Sequence, residues 1–525
     1  MRPRFRTLLL AAGAWAAVPP AAPAQTLTIG AGAAVTSMDP HFHNLVPNIA
    51  VAQHVFEGLT RMDAKARIQP SLATAWRAVA PDTWEFDLRE GVSFQNGRPF
   101  TAEDVAFTLG RAPEVPNSPS SFRIFTRAVK GVEVVGPYRV RLRTDGPYPL
   151  LASDLTQVVM LDAETHRGAA TEQFNGGQVT FGTGPYRFVR FVPNDRIEYV
   201  RNEAYWGGAE PWARVTYRLI VNAAARTAAL LSGDVQVIDQ VSTADLGRIR
   251  AEPGLEVSEA VSLRLIFLAM DQWRDGPTPF VADAAGQPLP HNPLRDARVR
   301  RALSIALSRD AIAGRVMEGA AIPAGQLLPE GAFGYVPNLG PPAFDQAGAR
   351  RLLAEAGYPN GFRLTLHGPN DRYVNDEKVL QAVAQMWTRI GVQTQVAALP
   401  FANFSPRSAK LEFSAYLGGW GSNTGEASSP LRSLVGSFST ERGWGASNRG
   451  RYSNPAVDSL LTAALAEVDD PKREALLQQA TRVAMEDVSL IPVHIQKGLW
   501  AHRRDIAYAP RADEMTRAMD ARPAP

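Results

Sequence analysis

Short segments in which apolar and polar residues alternate recur through the first half of the chain, and this period of two predicts β-strands. Residues 84–88, Trp-Glu-Phe-Asp-Leu, alternate strictly and predict a half-buried strand. Turn-forming residues at 136–137 and 193–195 separate pairs of such segments, so two hairpins are expected. The predicted strands are 25–30, 84–88, 132–135, 138–142, 186–192 and 196–201.

Apolar residues spaced three and four positions apart predict helices, which are longer and more frequent in the second half. In the first half, Thr101 and Asp104 form a capping box before an apolar run and predict a helix start. The mixture of strands and helices predicts an α/β or α+β protein with several lobes. In the second half, helices are predicted over 297–316, from Asp345 to a stop at Gly357, and over 376–390 with a stop at Gly391. A further helix is predicted to start at the N-cap Asp470, with Pro471 at its first position, and to run toward Asp487. A strand over 490–495 is predicted to follow it.

The first 24 residues have the pattern of a secretory signal peptide. Arg2, Arg4 and Arg6 form a basic segment, residues 8–18 are apolar, and a small-residue pattern ends at Ala24, where cleavage is expected. Removing this segment takes away three arginines and no acid, which brings the formal charge from +3 to 0. The sequence therefore predicts a soluble protein of the bacterial periplasm, with no charge that favours nucleic acid or anionic membranes.

Cysteine is absent, which excludes disulfides, thiol nucleophiles and Cys-ligated zinc or iron–sulfur sites. The sequence patterns of zinc peptidases, serine hydrolases and nucleotide-binding loops are also missing, so nothing in the sequence favours catalysis. His41 and His43 would share one face of an extended segment and could hold a soft metal. We favour the alternative, a pair of loop histidines with local hydrogen bonds, and predict neither a metal nor another cofactor.

Several segments, taken in order, resemble those of the family 5 solute-binding proteins of ABC importers, the peptide/nickel group. Residues 37–41 read Ser-Met-Asp-Pro-His, and the run over 83–105 is close to the most diagnostic stretch of that family. Because the matches span nearly all of the chain after residue 24, the resemblance is more specific than a single motif. Further matches are found at 57–59, 70–73, 182–186, 202–207, 296–303, 352–359 and 452–458.

This resemblance implies an α/β fold of the type II periplasmic-binding-protein class, in which two lobes joined by a hinge close on a solute and an extra subdomain is inserted in the first lobe. It also implies a monomer that delivers its solute to a membrane permease driven by a separate ATPase. The predicted strands and helices are compatible with a division into two lobes and a subdomain, but they would not by themselves predict it. By analogy, lobe I comprises 25–56, 176–264 and 488–525, the inserted subdomain 57–175, and lobe II 265–487.

The glycine-rich segment 418–426, Gly-Gly-Trp-Gly-Ser-Asn-Thr-Gly-Glu, aligns with the ligand-binding loop of the family. Glycine lets a ligand approach the backbone closely, and tryptophan provides a broad, rigid surface. Trp420, Gly421 and Ser422 are therefore predicted to contact the solute.

One departure from the family pattern lies in this loop. Peptide-binding members carry an Asp three positions after the Trp, where it pairs with the peptide α-ammonium, whereas this chain has the neutral Asn423. A buried ammonium without a carboxylate partner is costly. Either Glu426 takes over the role, or the ligand has no ordinary free N-terminus. The loop most resembles that of the glutathione-importer binding proteins.

The resemblance also implies ligand contacts outside the glycine-rich segment. Arg372 occupies a loop in which relatives place a carboxylate-binding arginine, and its guanidinium suits bidentate pairing. Tyr373 is its predicted companion, and Ser37 with Met38 is predicted to offer contacts from the first lobe. The alternatives are a solvated arginine, ordinary packing of the tyrosine and a purely structural turn.

The leading hypothesis is a periplasmic binding protein that captures a peptide-like solute, glutathione or a short oligopeptide, for import without turnover. The second keeps the importer and changes the solute to a nickel chelate or another non-peptide molecule. The third, from another class, is a secreted hydrolase acting on peptides or glycans. The identity and length of the solute do not follow from the sequence.

Overall fold

The computed structural model describes residues 25–422 and 424–525, so the predicted signal peptide and Asn423 lie outside the described residues. The described residues form twenty strands. They are β1 (Thr26–Ala31), β2 (Thr60–Met62), β3 (Ile68–Pro70), β4 (Ala73–Ala80), β5 (Thr83–Leu88), β6 (Val129–Gly136), β7 (Arg139–Thr144), β8 (Tyr186–Val192), β9 (Arg196–Arg201), β10 (Arg214–Leu219), β11 (Val237–Ile238), β12 (Leu255–Met270), β13 (Val281–Ala282), β14 (Ala321–Pro323), β15 (Phe362–Pro369), β16 (Val392–Leu399), β17 (Ala415–Gly421), β18 (Ile491–Arg503), β19 (Ile506–Tyr508) and β20 (Ala521–Pro523).

Helices are distributed along the same residues, and two of them continue into π-helical turns at 312–316 and 431–435. None of the helices within 25–422 and 424–525 is both long enough and apolar enough to span a membrane. The α-helices are α1 (Val46–Ala52), α2 (Ala102–Arg111), α3 (Arg123–Thr126), α4 (Leu151–Asp154), α5 (Thr171–Asn175), α6 (Ala223–Ser232), α7 (Thr243–Ala251), α8 (Ala297–Ile305), α9 (Arg309–Ala311), α10 (Gln346–Glu355), α11 (Asp376–Arg389), α12 (Phe401–Ala409), α13 (Ser428–Pro430), α14 (Pro455–Ala466) and α15 (Asp470–Glu486).

Local sequence signals set many of these boundaries. The capping box at Thr101 is present at the start of α2, where the Thr101 N–H donates to the Asp104 carboxylate at 2.8 Å. Gly357 and Gly391 have φ values of 93° and 101°, which glycine adopts without strain, shortly after the ends of α10 and α11. The strands predicted over 25–30, 84–88 and in the two hairpins are likewise confirmed as β1 and β5 to β9.

The helix predicted over 297–316 is wrong in its length, because α8 ends at Ile305. The cause is the buried guanidinium of Arg309, which donates to the carbonyls of Ser304 at 3.0 Å and Pro492 at 2.8 Å. Ser308 takes a non-helical backbone conformation, with φ −80° and ψ 86°. In a continuous helix the Ser304 carbonyl would accept a hydrogen bond from the Ser308 N–H, but here it accepts one from the Arg309 side chain.

Two other boundaries differ from prediction. Helix α15 begins at Asp470, but its N-cap is Asp469, whose carboxylate accepts from the Lys472 N–H at 3.2 Å. The strand predicted over 490–495 continues as β18 to Arg503. Its residues remain extended because β18 pairs along its length with the even longer β12.

Twelve of the strands form one sheet, in the order β13-β15-β17-β12-β18-β11-β1-β10-β9-β8, with β14 paired to β18 and β16 to β15. Residues Leu255–Val261 of β12 pair with Lys497–Arg503 of β18, and Leu265–Leu268 pair with Ile491–Ile495. The register shifts between these two ladders, at 262–264. Such an irregularity bends and twists paired strands, which makes this position the natural hinge.

Separate apolar cores lie on the two sides of this irregularity. One contains the fully buried Leu27, Tyr199 and Trp500, and the other contains Ile266 and Trp387. A third core lies between α2 and the antiparallel sheet β4-β5-β7-β6. The described residues therefore form a mixed α/β structure of two lobes and an additional subdomain, and the predicted fold class is confirmed. The residue boundaries proposed for each part stay predictions.

Candidate functional site

A cavity of about 360 Å³ lies between residues 44–46, at the start of α1, and a set of residues from the second lobe. Asn44, Leu45 and Val46 line it from the first side, and Arg264 lines it from the irregular part of β12. Aromatic side chains and the glycine-rich strand β17 form much of the remaining wall. The other lining residues are Phe267, Arg372, Tyr373, Phe401, Phe404, Tyr416, Gly418, Gly419, Trp420, Gly421, Leu434, Ser447 and Arg449.

The glycines of β17 allow aromatic rings to lie directly on the strand. A Cβ atom added at Gly419 would lie 2.6 Å from the Tyr373 ring, and one at Gly418 would lie 3.0 Å from the Phe267 ring. The Tyr373 hydroxyl accepts a hydrogen bond from the Gly419 N–H at 3.0 Å. The absence of side chains at these two positions therefore fixes Tyr373 on the cavity wall.

Trp420 follows these glycines and is partly exposed on the same wall. Its indole Nε1 lies 3.3 Å from the Ser429 hydroxyl oxygen, to which it donates. The polar edge of the ring is thus satisfied by the protein. An indole held in this way can present its apolar surface to a bound molecule.

Arg372 reaches the cavity from the loop between β15 and α11. The N–H groups of Arg372 and Tyr373 both donate to one oxygen of Asp376 at 3.0 Å, which orders the loop. The guanidinium lies 5.1 Å from the Phe401 ring centroid. Among the described residues, no Asp or Glu oxygen lies within 4.0 Å of this guanidinium. Its positive charge is therefore available to a ligand.

The charge of the cavity wall is positive. Three arginines line it, at positions 264, 372 and 449, and none of the lining residues named above is acidic. Arg264 is neutralised by Glu514, whose carboxylate accepts from its guanidinium at 2.5 and 3.1 Å. Within residues 25–422 and 424–525 the other two arginines have no acidic partner, so the cavity favours an anionic ligand.

Two residues of the predicted ligand loop lie behind the wall. Ser422 is buried, and its hydroxyl donates to the Glu426 carbonyl at 3.1 Å. The Glu426 carboxylate is buried as well and pairs with Arg473 at 2.7 Å, with Ser428 as a second donor. Neither residue lines the cavity. The first alternative for an ammonium partner, Glu426, is thus disfavoured because its charge is already compensated inside the lobe.

Ser37 and Met38 are also not brought to the cavity. They are 2% and 1% exposed, and both bind the side-chain oxygen of Asn175, through the Ser37 hydroxyl at 2.9 Å and the Met38 N–H at 2.7 Å. In this structure they form a buried structural turn. The first side of the cavity is instead supplied by Asn44, Leu45 and Val46, which sequence reasoning missed.

Of the two histidines at 41 and 43, His43 hydrogen-bonds locally as predicted, but the prediction is wrong for His41, which is buried and bonds to a residue 118 positions away. His41 Nε2 lies 2.9 Å from the Val159 carbonyl oxygen, and His43 Nδ1 lies 2.9 Å from the Thr36 hydroxyl. Burial, with a smaller contribution from Arg111, lowers the pKa of His41 to about 3. Within the described part of the chain, no group of three or more His, Asp or Glu side chains is arranged to hold a metal.

The remaining missed residues come from segments far apart in the sequence. Phe267 lies on β12, Phe401 and Phe404 on α12, and Arg449 in the loop before α14. Phe401 follows a Pro at a helix start, but its sequence context does not distinguish it from an ordinary core aromatic. Tertiary packing of segments distant in the sequence, within the second lobe, brings this set together.

The inserted subdomain also packs against the segment that follows Trp420. The Ser153 hydroxyl donates to the Thr424 carbonyl at 3.3 Å. Burial raises the pKa of the neighbouring Asp154 to about 7, and the Tyr148 hydroxyl donates to its carboxylate at 2.6 Å. The charges of Arg432 and Arg127 oppose this rise, and that of Glu426 adds to it.

The raised pKa of Asp154 predicts a pH-dependent contribution to stability. Because the folded protein holds this proton at a higher pH than the unfolded chain, whose pKa is near 3.8, the contribution is complete below about pH 4 and is lost as the pH rises to about 7. We expect Asp154→Asn to flatten the fall in unfolding free energy between pH 4 and pH 7, measured by urea denaturation. The exposed Asp145 provides a matched control, Asp145→Asn. Equal pH slopes for wild type and Asp154→Asn would contradict the assignment.

The chain is similar in sequence to known bacterial solute-binding proteins. A family model described as bacterial extracellular solute-binding proteins, family 5 Middle, matches residues 67–441. The glutathione-binding protein GsiB of Salmonella typhimurium strain LT2 is 27% identical over 504 residues, which cover 93% of this chain and 92% of that protein. The heme-binding protein A of Haemophilus influenzae is 27% identical over 474 residues, which cover 85% and 82%.

The same architecture is found among solved structures. The structure of HbpA2 from Haemophilus parasuis superposes with a TM-score of 0.81 at 22% identity. The match covers 95% of this chain and 100% of that chain. At this identity the likeness concerns the fold, and it agrees with the two lobes and the additional subdomain described above.

Proposed function

Because the chain belongs to family 5 of the bacterial extracellular solute-binding proteins, we propose that it is the periplasmic solute-binding component of an ABC importer and that its solute is peptide-like. The observation that carries this proposal is the cavity between the two lobes, where the Trp420 ring and the unpaired Arg372 guanidinium share one wall. An aromatic surface beside a guanidinium suits a small organic acid such as a peptide.

In the proposed cycle, the solute first binds the wall formed by the second lobe, which supplies most of the lining residues. Rotation at 262–264 then brings Asn44, Leu45 and Val46 over it and removes it from water. The closed protein would dock as a monomer on a permease and its ATPase. No turnover of the solute is proposed.

The size and charge of the cavity support a short ligand. A volume of about 360 Å³ lies near the lower end of the roughly 300–1,000 Å³ common for small-molecule sites, which favours a di- or tripeptide over a long oligopeptide. The lining residues offer no carboxylate to an α-ammonium. Glutathione fits this arrangement, because the ammonium of its γ-glutamyl group has a carboxylate on the same carbon and the molecule carries a second carboxylate at its other end.

A non-peptide solute is the alternative within the same role. Six aromatic side chains surround the cavity, at 267, 373, 401, 404, 416 and 420, and they favour a flat apolar group. Heme, the ligand named for one relative, has such a group. A nickel chelate would have to be recognised through its chelator, because none of the lining residues named above is a histidine, cysteine or methionine.

Thermal unfolding of residues 25–525 against a solute panel tests the proposal. The panel contains glutathione, di- to pentapeptides, their N-acetylated and amidated forms, hemin, and nickel with and without chelators. A ligand at 100 times its dissociation constant stabilises the folded state by about 2.7 kcal/mol, which gives a measurable shift in Tm. Stabilisation by glutathione or peptides supports the peptide-like solute. Stabilisation by hemin or a chelate alone overturns it and leaves the importer role.

Trp420→Ala is expected to weaken solute binding by about 1–3 kcal/mol, because a large rigid contact surface would be lost from the cavity wall. Isothermal titration calorimetry with the solute identified by the panel measures this change. Trp273→Ala is the matched control, since Trp273 is 47% exposed and does not line the cavity. Unchanged affinity in Trp420→Ala would return this ring to a packing role.

A further inference from the structure

A second cationic side chain faces the cavity from a loop that the sequence does not mark as functional. Arg449 lies between the π-helical turn that ends at Val435 and the start of α14. It lines the cavity together with its neighbour Ser447 and with Tyr416, which is buried beside it. Arg372 lines the same cavity from the loop before α11.

The hydrogen-bonding capacity of Arg449 is largely unused. One terminal nitrogen donates to the buried Ser408 hydroxyl at 2.8 Å, which fixes the side chain. The Nε atom is excluded from solvent and has no hydrogen-bond partner. Among the described residues, no Asp or Glu oxygen lies within 4.0 Å of this guanidinium. Because Arg449 lines the cavity, an anion bound there would compensate this charge.

Other arginines nearby have an acidic partner or several acceptors within the protein itself. Arg264 is paired with Glu514, and Arg473 is paired with Glu426. Arg451, two positions after Arg449, lies 3.8 Å from the Phe438 ring centroid and donates to two backbone carbonyls. Arg449 thus differs from its neighbours in having both a place on the cavity wall and an uncompensated charge.

We propose that Arg449 is a second anion-binding residue of the cavity and that the solute carries two carboxylates, one bound by Arg372 and the other by Arg449. This inference rests on the proposed function and narrows its substrate class. Two guanidinium groups without acidic partners would leave a monocarboxylate ligand with one buried positive charge uncompensated. The shared chemistry is a pair of carboxylates on one small molecule. Glutathione and heme both have it, whereas a dipeptide with neutral side chains does not.

Calorimetry with three related probes tests this assignment. The probes are glutathione, its C-terminal amide, and γ-aminobutyryl-cysteinyl-glycine, which keeps the amine and lacks the γ-glutamyl carboxylate. In wild type, each of the two monocarboxylates is expected to bind at least about 10-fold more weakly than glutathione. Arg449→Gln should weaken the binding of glutathione at least about 10-fold. One of the two monocarboxylates lacks the carboxylate that Arg449 binds, and its affinity should change by no more than about 2-fold.

Two variants keep the result interpretable if Arg449→Gln folds poorly. Arg449→Lys keeps the charge but loses the planar fork, so it should bind glutathione with an intermediate affinity. Arg442→Gln removes an exposed arginine of the same loop, outside the cavity, and should bind all three probes like wild type. Equal weakening of the three probes by Arg449→Gln, or no weakening of any, overturns the assignment.

Thermal unfolding with glutarate, butyrate, hemin and hemin dimethyl ester separates this inference from the proposed function. One outcome is that peptides and glutathione do not bind, while glutarate stabilises wild type more than butyrate does, or hemin more than its dimethyl ester. If Arg449→Gln then removes this difference, the proposal of a peptide-like solute is overturned and the dicarboxylate site is supported. If peptides bind and Arg449→Gln loses nothing, the proposed function stands and this site is overturned. If no dicarboxylate stabilises wild type more than its matched probe, the assignment of Arg449 is also overturned.

Discussion

Replacing Glu426 with alanine is expected to lower the free energy of unfolding by about 3–5 kcal/mol. The carboxylate is paired with Arg473 at 2.7 Å, and both side chains are less than 10% exposed. Without it, Arg473 keeps only the largely exposed Asp470 as an acidic partner, while its Nε atom already lacks a hydrogen-bond acceptor. A buried guanidinium would then be left poorly compensated, which is why this loss should be large.

Urea denaturation of Glu426→Ala measures this loss of unfolding free energy, and two other variants serve as comparisons. Glu426→Gln keeps the volume and a hydrogen-bond acceptor and should be destabilised less. Glu412→Ala breaks an ion pair with Arg407 in which both side chains are substantially exposed, so its effect should stay below about 1 kcal/mol. If Glu426→Ala is instead as stable as wild type and selectively loses peptides with a free amine, Glu426 is the ammonium partner after all.

Arg372→Ala is expected to weaken a carboxylate ligand by about 1.5–3 kcal/mol, the range for hydrogen bonds to charged groups. The effect should be specific, because this guanidinium has no acidic partner among the described residues and its loop is held through the backbone rather than through the side chain. Amidation of the carboxylate that Arg372 binds should remove most of the difference between variant and wild type.

Calorimetry with a solute and its amidated analogues measures this specificity. Arg315→Ala removes an exposed arginine of the second lobe outside the cavity and should bind like wild type. Similar losses for the acid and for every amidated form would show that Arg372 acts through the shape of the loop, in which case its carboxylate-binding role would be withdrawn.

The family resemblance predicted those parts of the cavity that a single segment encodes. The run 418–421 contains both the glycines and the tryptophan of one wall, and Arg372 with Tyr373 lies in a turn-rich loop directly before α11. The same is true of much of the fold, where capping residues, turns and alternation are read within a few positions of the chain. What these features share is that neighbouring residues set them.

The residues that sequence reasoning missed depend on contacts between distant segments. Arg449 has no distinctive neighbours, and only packing against Ser408 turns it toward the cavity. The sequence predicts Ser37 and Met38 as ligand contacts, yet the side chain of Asn175, more than 130 positions later in the chain, holds both in a buried turn. Glu426 likewise carries an obvious charge, and the decisive fact is its partner Arg473 on α15. Partners so far apart along the chain cannot be chosen from spacing.

The shared crossing strands have a consequence for how binding preferences can be inherited. Leu265 and Ile495, on β12 and β18, are directly paired, so the stretch of chain between them begins and ends at the same place in the sheet. That stretch carries most of the cavity wall, from Phe267 to Arg449. A recombination event that exchanged it as a single block would transfer selectivity for a new solute while preserving the first lobe. Solute preference is thus encoded largely in one continuous segment that can be exchanged between related proteins.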